Sequence, residues 1–181
     1  FNVMKQLSFC SACVPLLEMS ETTEGGNTVI YGVMPLYSCS VYDLAMKGKL
    51  PEPFLLGVLS RITEALHALH SLGYVHLDIK STNFFLSLPS ELTNNVSRLN
   101  ASHASTCVLG DYGSCTLLNI APGQLRTNSQ LREKLRGELI AKTTPNFRSP
   151  EIVDMYGGLA ISGSSDTFSL GVALYQMAYN M

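Results

Sequence analysis

Between Tyr74 and Leu86 the chain reads YVHLDIKSTNFFL, which sets His76, Asp78, Lys80 and Asn83 at spacings of two, two and three. A carboxylate, an ammonium and a carboxamide thus fall within six residues, bracketed by Tyr74-Val75 and Phe84-Phe85-Leu86. A short loop between two buried strands would hold all three polar groups at one place, as a reaction centre requires. The plainer alternative is that Asp78 and Asn83 each cap a turn. Three further stretches follow in order: Asp111-Tyr-Gly113, then Thr144-Pro-Asn-Phe-Arg-Ser-Pro150-Glu151, then Asp166-Thr-Phe-Ser-Leu-Gly171. Each alone is a weak signal.

The elements that must position these residues are legible in part. Leu55, Leu59, Ile62, Leu66, Leu69 and Leu72 recur every three or four residues from Pro53 to Leu72, which predicts a helix. Gly73 stands at its stop position, so the helix delivers the chain directly into Tyr74. Phe1–Leu7 reads as the end of a helix, with Val3, Met4 and Leu7 on one face. Cys13–Met19 and Thr28–Met34 read as an antiparallel pair around the turn signal Thr23–Asn27, and Asp43–Lys47 reads as a short helix. Ser87–Ser105 is polar and without period, which predicts a surface insertion ahead of a strand at Thr106–Leu109. Residues 114–150 read mostly as loop, with one short amphipathic helix on Leu131, Leu135 and Leu139 whose Arg132, Lys134 and Arg136 form a solvated face. Phe168–Ala178 is almost wholly apolar and is predicted to be a helix buried on all sides.

Composition bounds the rest. With 181 residues, 46% of them hydrophobic and 14% charged, the chain can bury one good core. A formal charge of -2 gives no field to attract a polyanion, so no nucleic-acid partner is expected. No run is a convincing membrane span. The five cysteines include Cys10-Ser-Ala-Cys13, but no second pair or nearby His completes a zinc set, and buried structural thiols are the expectation. Two sequons, Asn95-Val-Ser97 and Asn100-Ala-Ser102, matter only in a secreted protein.

In their fixed order the four stretches resemble the catalytic loop, the D-F-G, the A-P-E and the D-x-W-S-x-G of eukaryotic protein kinases. The resemblance implies an α+β, protein kinase-like fold, truncated at both ends, with a mostly helical C-lobe and a partial β-rich N-lobe. Residues 1–34 would supply the end of helix C and two strands; residues 35–181 would supply the hinge, catalytic loop, activation segment and buried helix F. It implies a serine/threonine kinase that transfers the γ-phosphate of ATP, with Mg²⁺, to a Ser or Thr hydroxyl of a protein substrate. Asp78 would orient the substrate hydroxyl and take its proton, and Lys80 would steady the phosphate. Asn83 and Asp111 would hold Mg²⁺, a hard cation that prefers oxygen ligands. Met34, Leu36 and Tyr37 fall at the gatekeeper and hinge, and Phe85 falls under the adenine. Asp166 would cap the catalytic-loop backbone, while Met4, His76 and Tyr112 fall in a regulatory apolar column. Glu151 pairs in kinases with an Arg far downstream.

The chain departs from that pattern at several places. Leu77 replaces the Arg that receives an activation-segment phosphate, which makes the chain non-RD. No G-x-G-x-x-G occurs, no V-A-I-K-type strand lysine precedes Met34, and Lys5 lies on the helix that carries the paired Glu in kinases. The alternative to an enzyme is therefore a pseudokinase that serves as a binding scaffold, and the 181-residue piece alone is expected to lack turnover. The Met34-Pro-Leu36 hinge, Leu77 and the sequons are similar to the secreted apicomplexan rhoptry kinases, including the with-no-Gly-loop group. That likeness implies secretion, where a cytoplasmic location is otherwise the default.

Overall fold

The computed structural model describes residues 1–118 and 120–179. The expected helix before the Tyr74–Leu86 stretch is α3 (Glu52–Ser71), entered through Pro51 and Pro53, whose fixed φ suits a first helical turn. It buries Phe54, Val58, Ile62, Ala65 and Leu69, a stripe at helical spacing. Gly73 ends it at φ +79°, donating its N–H to the His70 carbonyl at 2.9 Å. The chain then runs into β4 (Tyr74–Val75) and, past a 3-10 turn at Ser81–Asn83, into β5 (Phe84–Leu86).

At the N-terminal side lie α1 (Asn2–Gln6) and a hairpin of β1 (Glu18–Glu24) and β2 (Asn27–Val33). The hairpin is antiparallel as expected, with Glu18 opposite Val33, but its first strand begins at Glu18 rather than Cys13. Thr23 and Glu24 belong to that strand. The turn is only Gly25-Gly26, both with positive φ, because a two-residue hairpin loop that matches strand twist needs that conformation twice. Cys13 instead bridges Leu109 in parallel. The hairpin is exposed on most of both faces, so its ladder, not a buried side, sets its register.

A three-stranded antiparallel sheet follows, ordered β3 (Cys39–Ser40), β5 and β6 (Val108–Leu109). The helix expected at Asp43–Lys47 is α2 (Val41–Ala45); Ser40 and Asp43 form a reciprocal capping box that moves its start forward. β4 pairs with β7 (Thr116–Leu117). The segment 87–105 corrects expectation. It holds α4 (Ser90–Thr93) and 3-10 turns, and it buries Leu88, Val96, Leu99 and Ala104 in the main core. Ala104 docks on Gly57 of α3, where an added Cβ would lie 2.6 Å from it. Four scattered apolar residues in a polar run have no period to read.

Residues 120–150 hold more regular structure than expected: α5 (Gln124–Thr127) precedes α6 (Ser129–Lys142), the predicted amphipathic helix, which Asn128 caps by accepting from Leu131 N. With α7 (Pro150–Val153), α6 covers a second core of Val75, Leu77, Leu125, Leu135, Leu139 and Ile152. Arg132 does not join a solvated face; it lies over the Tyr156 ring, 4.2 Å from its centroid. Finally α8 (Gly163–Tyr179) buries Ser165, Asp166, Ser169, Leu170, Ala173 and Met177 on one face only. Phe168, at 43% exposure, and Tyr175 and Tyr179 lie on the other, so the expectation of burial on all sides fails. The elements packed on α8 reach only the face that carries Asp166, Ser169, Leu170, Ala173 and Met177.

A small antiparallel sheet region and a helical remainder are the α+β, kinase-like arrangement expected of the sequence. Among the described residues no helix is long and apolar enough to cross a membrane.

Candidate functional site

The loop from His76 to Asn83 is held from below by one side chain. Asp166, 1% exposed on α8, accepts from His76 N and Leu77 N at 2.8 Å each, and its Oδ2 also lies 2.8 Å from His70 Nε2. Leu77 has φ +70°, a conformation that costs a residue with a Cβ about 1–2 kcal/mol. The carboxylate grips the Leu77 amide and the one before it and keeps the loop in its left-handed turn.

His76 is fully buried, and its hydrogen bonds name its tautomer. Nε2 lies 3.1 Å from the Gly110 carbonyl and donates to it, while Nδ1 accepts from Asp78 N at 3.3 Å. Burial lowers its pKa despite Asp166, Asp78 and Asp111 nearby, so the ring stays neutral. It packs against Tyr112 at 5.5 Å between centroids, and Met4 lines a common cavity with Tyr112, so the three residues of the expected column lie together.

Asp78 and Lys80 form an ion pair at 2.6 Å. Thr144 completes a triangle that the sequence reading missed: its hydroxyl donates to Asp78 Oδ1 at 2.5 Å and accepts from Lys80 Nζ at 3.1 Å. Burial pushes Asp78 up, but the hydrogen bonds from Lys80 and Thr144 and the Lys80 charge outweigh it and hold the carboxyl below its ordinary range. Asn83 Nδ2 donates to the Asp78 carbonyl at 2.9 Å, which commits its amide nitrogen and leaves its oxygen without a hydrogen-bond partner among the described residues. Asp111 has φ +58° and is exposed, with Oδ1 accepting weakly from Gly113 N at 3.4 Å.

Asn83 and Asp111 share a cleft of about 470 Å³ with Val14, Met34, Pro35, Leu36, Tyr37 and Phe85. All the expected nucleotide-side residues therefore line one cavity, in the range of small-molecule sites. Tyr37 and Phe85 stack at 5.7 Å and 19°, while Leu36, 96% exposed, stands at the rim. Val14 was missed, since nothing marks it in an apolar run. Gly110 was missed too: a Cβ there would meet Phe85 at 2.6 Å and Val14 at 2.9 Å, so its lack of a side chain shapes the cleft floor.

The remaining residues are structural in this molecule. Glu151 accepts from Ser165 Oγ at 2.6 Å. Cys10 and Cys13 are buried, and burial pushes the Cys13 thiol up to about 12. Among the described residues no group of three or more His, Cys, Asp or Glu side chains gathers as a metal cluster. The oxygen donors of Asn83 and Asp111 still fit Mg²⁺, which keeps waters and phosphate oxygens for most of its shell.

The family model described as the protein kinase domain matches residues 1–181. The chain is similar to actin-regulating kinase 1 of Saccharomyces cerevisiae, 29% identical over 136 residues, which are 74% of this chain and 18% of that protein. It is 32% identical over 135 residues to the myotonin-protein kinase of Homo sapiens, covering 72% of this chain and 17% of that one. It is also 32% identical over 125 residues to the serine/threonine-protein kinase ArnS of Sulfolobus acidocaldarius, covering 66% and 17% respectively. The chain thus spans less than a fifth of the length of these relatives. With its carboxylate-clamped loop, its cleft and a family match that runs from end to end, the chain belongs to the protein kinase domain family.

Proposed function

We propose that the chain is the core of a serine/threonine protein kinase that transfers the γ-phosphate of ATP to a hydroxyl of a protein substrate. The observation that carries this reading is the Asp78–Lys80–Thr144 triangle, tied through Asn83 to the cleft that Asp111 also lines. Asp78 remains ionised and offers its carboxylate to an incoming hydroxyl, orienting it and taking its proton. Lys80 places a positive charge where phosphate oxygens gather charge, and Thr144 fixes both side chains. Asn83 and Asp111 are the residues that would hold Mg²⁺, and the bound ion neutralises phosphate charge. The stacked rings of Tyr37 and Phe85, with the apolar side chains of Val14 and Met34, offer contacts that suit a flat purine.

The test is Mg²⁺-dependent transfer of labelled phosphate from ATP by the full-length protein, with Asp78→Asn beside it. The variant is expected to lose about 10²–10⁴-fold in rate. Equal incorporation by the two proteins overturns the reading. A second reading, a nucleotide-binding scaffold without turnover, is favoured by the lack of any basic side chain among the described residues that line the cleft. It predicts ATP-dependent thermal stabilisation together with no transfer.

Leu77, 4% exposed and uncharged, supports control by something other than a phosphate on the activation segment. Together with the Met34-Pro-Leu36 hinge it also supports the likeness to the secreted apicomplexan branch. A native protein whose activity rises on activation-segment phosphorylation, measured by mass spectrometry and transfer assay, counts against that control.

A further inference from the structure

We propose that the cavity between α6 and α7 is a subsite for one anionic side chain of the protein substrate, a carboxylate or a phosphate ester, a few positions from the hydroxyl that is phosphorylated. The proposal rests on the kinase reading and assigns its substrate class. The cavity, about 160 Å³, is lined by Arg132, Arg136 and Arg148 together with apolar residues, and no carboxylate belongs to its wall. That volume holds roughly five waters, enough for a carboxylate or phosphate group and its first contacts.

The three guanidinium groups are differently held. Arg132, whose side chain is 12% exposed, is pinned by Nη1 donating to the Leu125 carbonyl at 2.7 Å and by the Tyr156 ring beneath it. Its Nε is buried without a hydrogen-bond partner, and the exposed Glu133 carboxylate stands at the edge of ion-pair distance, 4.0 Å away. Arg148 spends Nε on Thr143 Oγ1 at 2.8 Å and Nη2 on the Ile140 and Thr143 carbonyls, which leaves Nη1 without a partner among the described residues. Arg136 is exposed and makes no hydrogen bond or ion pair among the described residues. The free donors of Arg136 and Arg148, beside the pinned Arg132 and with no carboxylate among the lining residues, make a wall that suits an anion. Arginine is the residue suited to it, since its planar fork matches carboxylate and phosphate oxygens.

Location selects the occupant. Thr143 accepts from Arg148, and the next residue, Thr144, donates to Asp78, so the cavity and the acceptor position share one short segment. An extended peptide that presents its hydroxyl to Asp78 passes this wall within a few residues.

The test measures binding of fluorescein-labelled Ser peptides to the full-length protein carrying Asp78→Asn, by fluorescence anisotropy. Glu, phosphoserine, Gln or Lys is placed in turn at each position around the serine. At one position or two adjacent ones, Glu or phosphoserine is expected to bind about tenfold tighter than Gln, the scale of one charge-assisted hydrogen bond. Preference for phosphoserine alone identifies a pre-phosphorylated substrate; equal preference identifies an acidic one. Arg136→Glu, a surface change, is expected to abolish the preference and to favour Lys at the same position, and Arg132→Gln is expected to weaken it. No positional preference, a preference that survives Arg136→Glu, or binding of inorganic phosphate without peptide preference overturns the proposal. Absence of phosphate transfer by the unmutated protein to every peptide overturns the kinase reading instead, and leaves the binding result standing.

Discussion

Thr144 lies 66 residues from Asp78 in the chain, yet its hydroxyl and the Lys80 ammonium are the groups that hold the Asp78 carboxylate charged. Because that pKa lies below the ordinary carboxylate range, the proton-accepting form of Asp78 persists through mildly acidic pH. Thr144→Val, which keeps shape and removes the hydroxyl, is expected to lower kcat/KM about tenfold, while Thr144→Ser retains most of it. Equal losses in the two variants, measured by transfer assay, show that the methyl group matters and the hydrogen bond does not. His76 makes the complementary case. Its pKa is lowered by burial, so below the unfolded value of about 6.5 the unfolded chain binds a proton that the native chain refuses. Its contribution to stability is therefore complete above that pH and is lost as pH falls, by up to about 1.4 kcal/mol per unit. Thermal melts of the full-length protein across that range check the sign, and His76→Phe is expected to flatten the slope. Asp78, Lys80, Asn83 and Asp111 were legible because polar residues between apolar runs stand out. Thr144 was not, because a threonine inside a loop carries no sign of the partner it will meet.

Among the elements, those with a strong local signal were read well and those that lean on tertiary context were not. The α3 stripe with Gly73 behind it, and the leucines of α6, each fix a helix by period and stop signal alone. The segment 87–105 and the outward face of α8 depend on what packs against them, and composition alone reads the first as surface and the second as core. Gly110 shows the same dependence at the joint of β6 and the Asp111 turn. A Cβ there would have to displace the Phe85 ring or the Val14 side chain, and both form the cleft wall. Gly110→Ala is expected to cost about 1–3 kcal/mol by overpacking and to weaken nucleotide binding at the same time. Titration with a fluorescent ATP analogue, alongside a urea melt, reads both; undiminished binding in a destabilised protein means that Phe85 moves away from the cleft rather than into it.

At the scale of the whole molecule, the main core around α3 and β5 and the second core under α6 and α7 are distinct clusters, and the loop from His76 to Asn83 runs between them. Asp166 is the group that joins the loop to both sides, since it reaches His70 on α3 while it holds His76 and Leu77. Its removal has a cost that follows from what it leaves behind. Asp166→Ala strands two buried amides, each worth about 1–3 kcal/mol when unsatisfied, and frees Leu77 from its left-handed conformation. Relief of that strain returns about 1–2 kcal/mol, so a net loss between about 0 and about 5 kcal/mol is expected, with about 2–3 kcal/mol the central value. Asp166→Asn keeps one oxygen for one of the two amides and should lose roughly half as much. Both variants should lose phosphate transfer well before they unfold, because Leu77 adjoins Asp78 and any relaxation of the turn moves the carboxylate. Urea unfolding and transfer rate, measured together on the full-length protein, separate the two effects. If Asp166→Ala loses stability while transfer stays at the level of the unmutated protein, the loop holds its own shape and Asp166 is only a buried tie between helices.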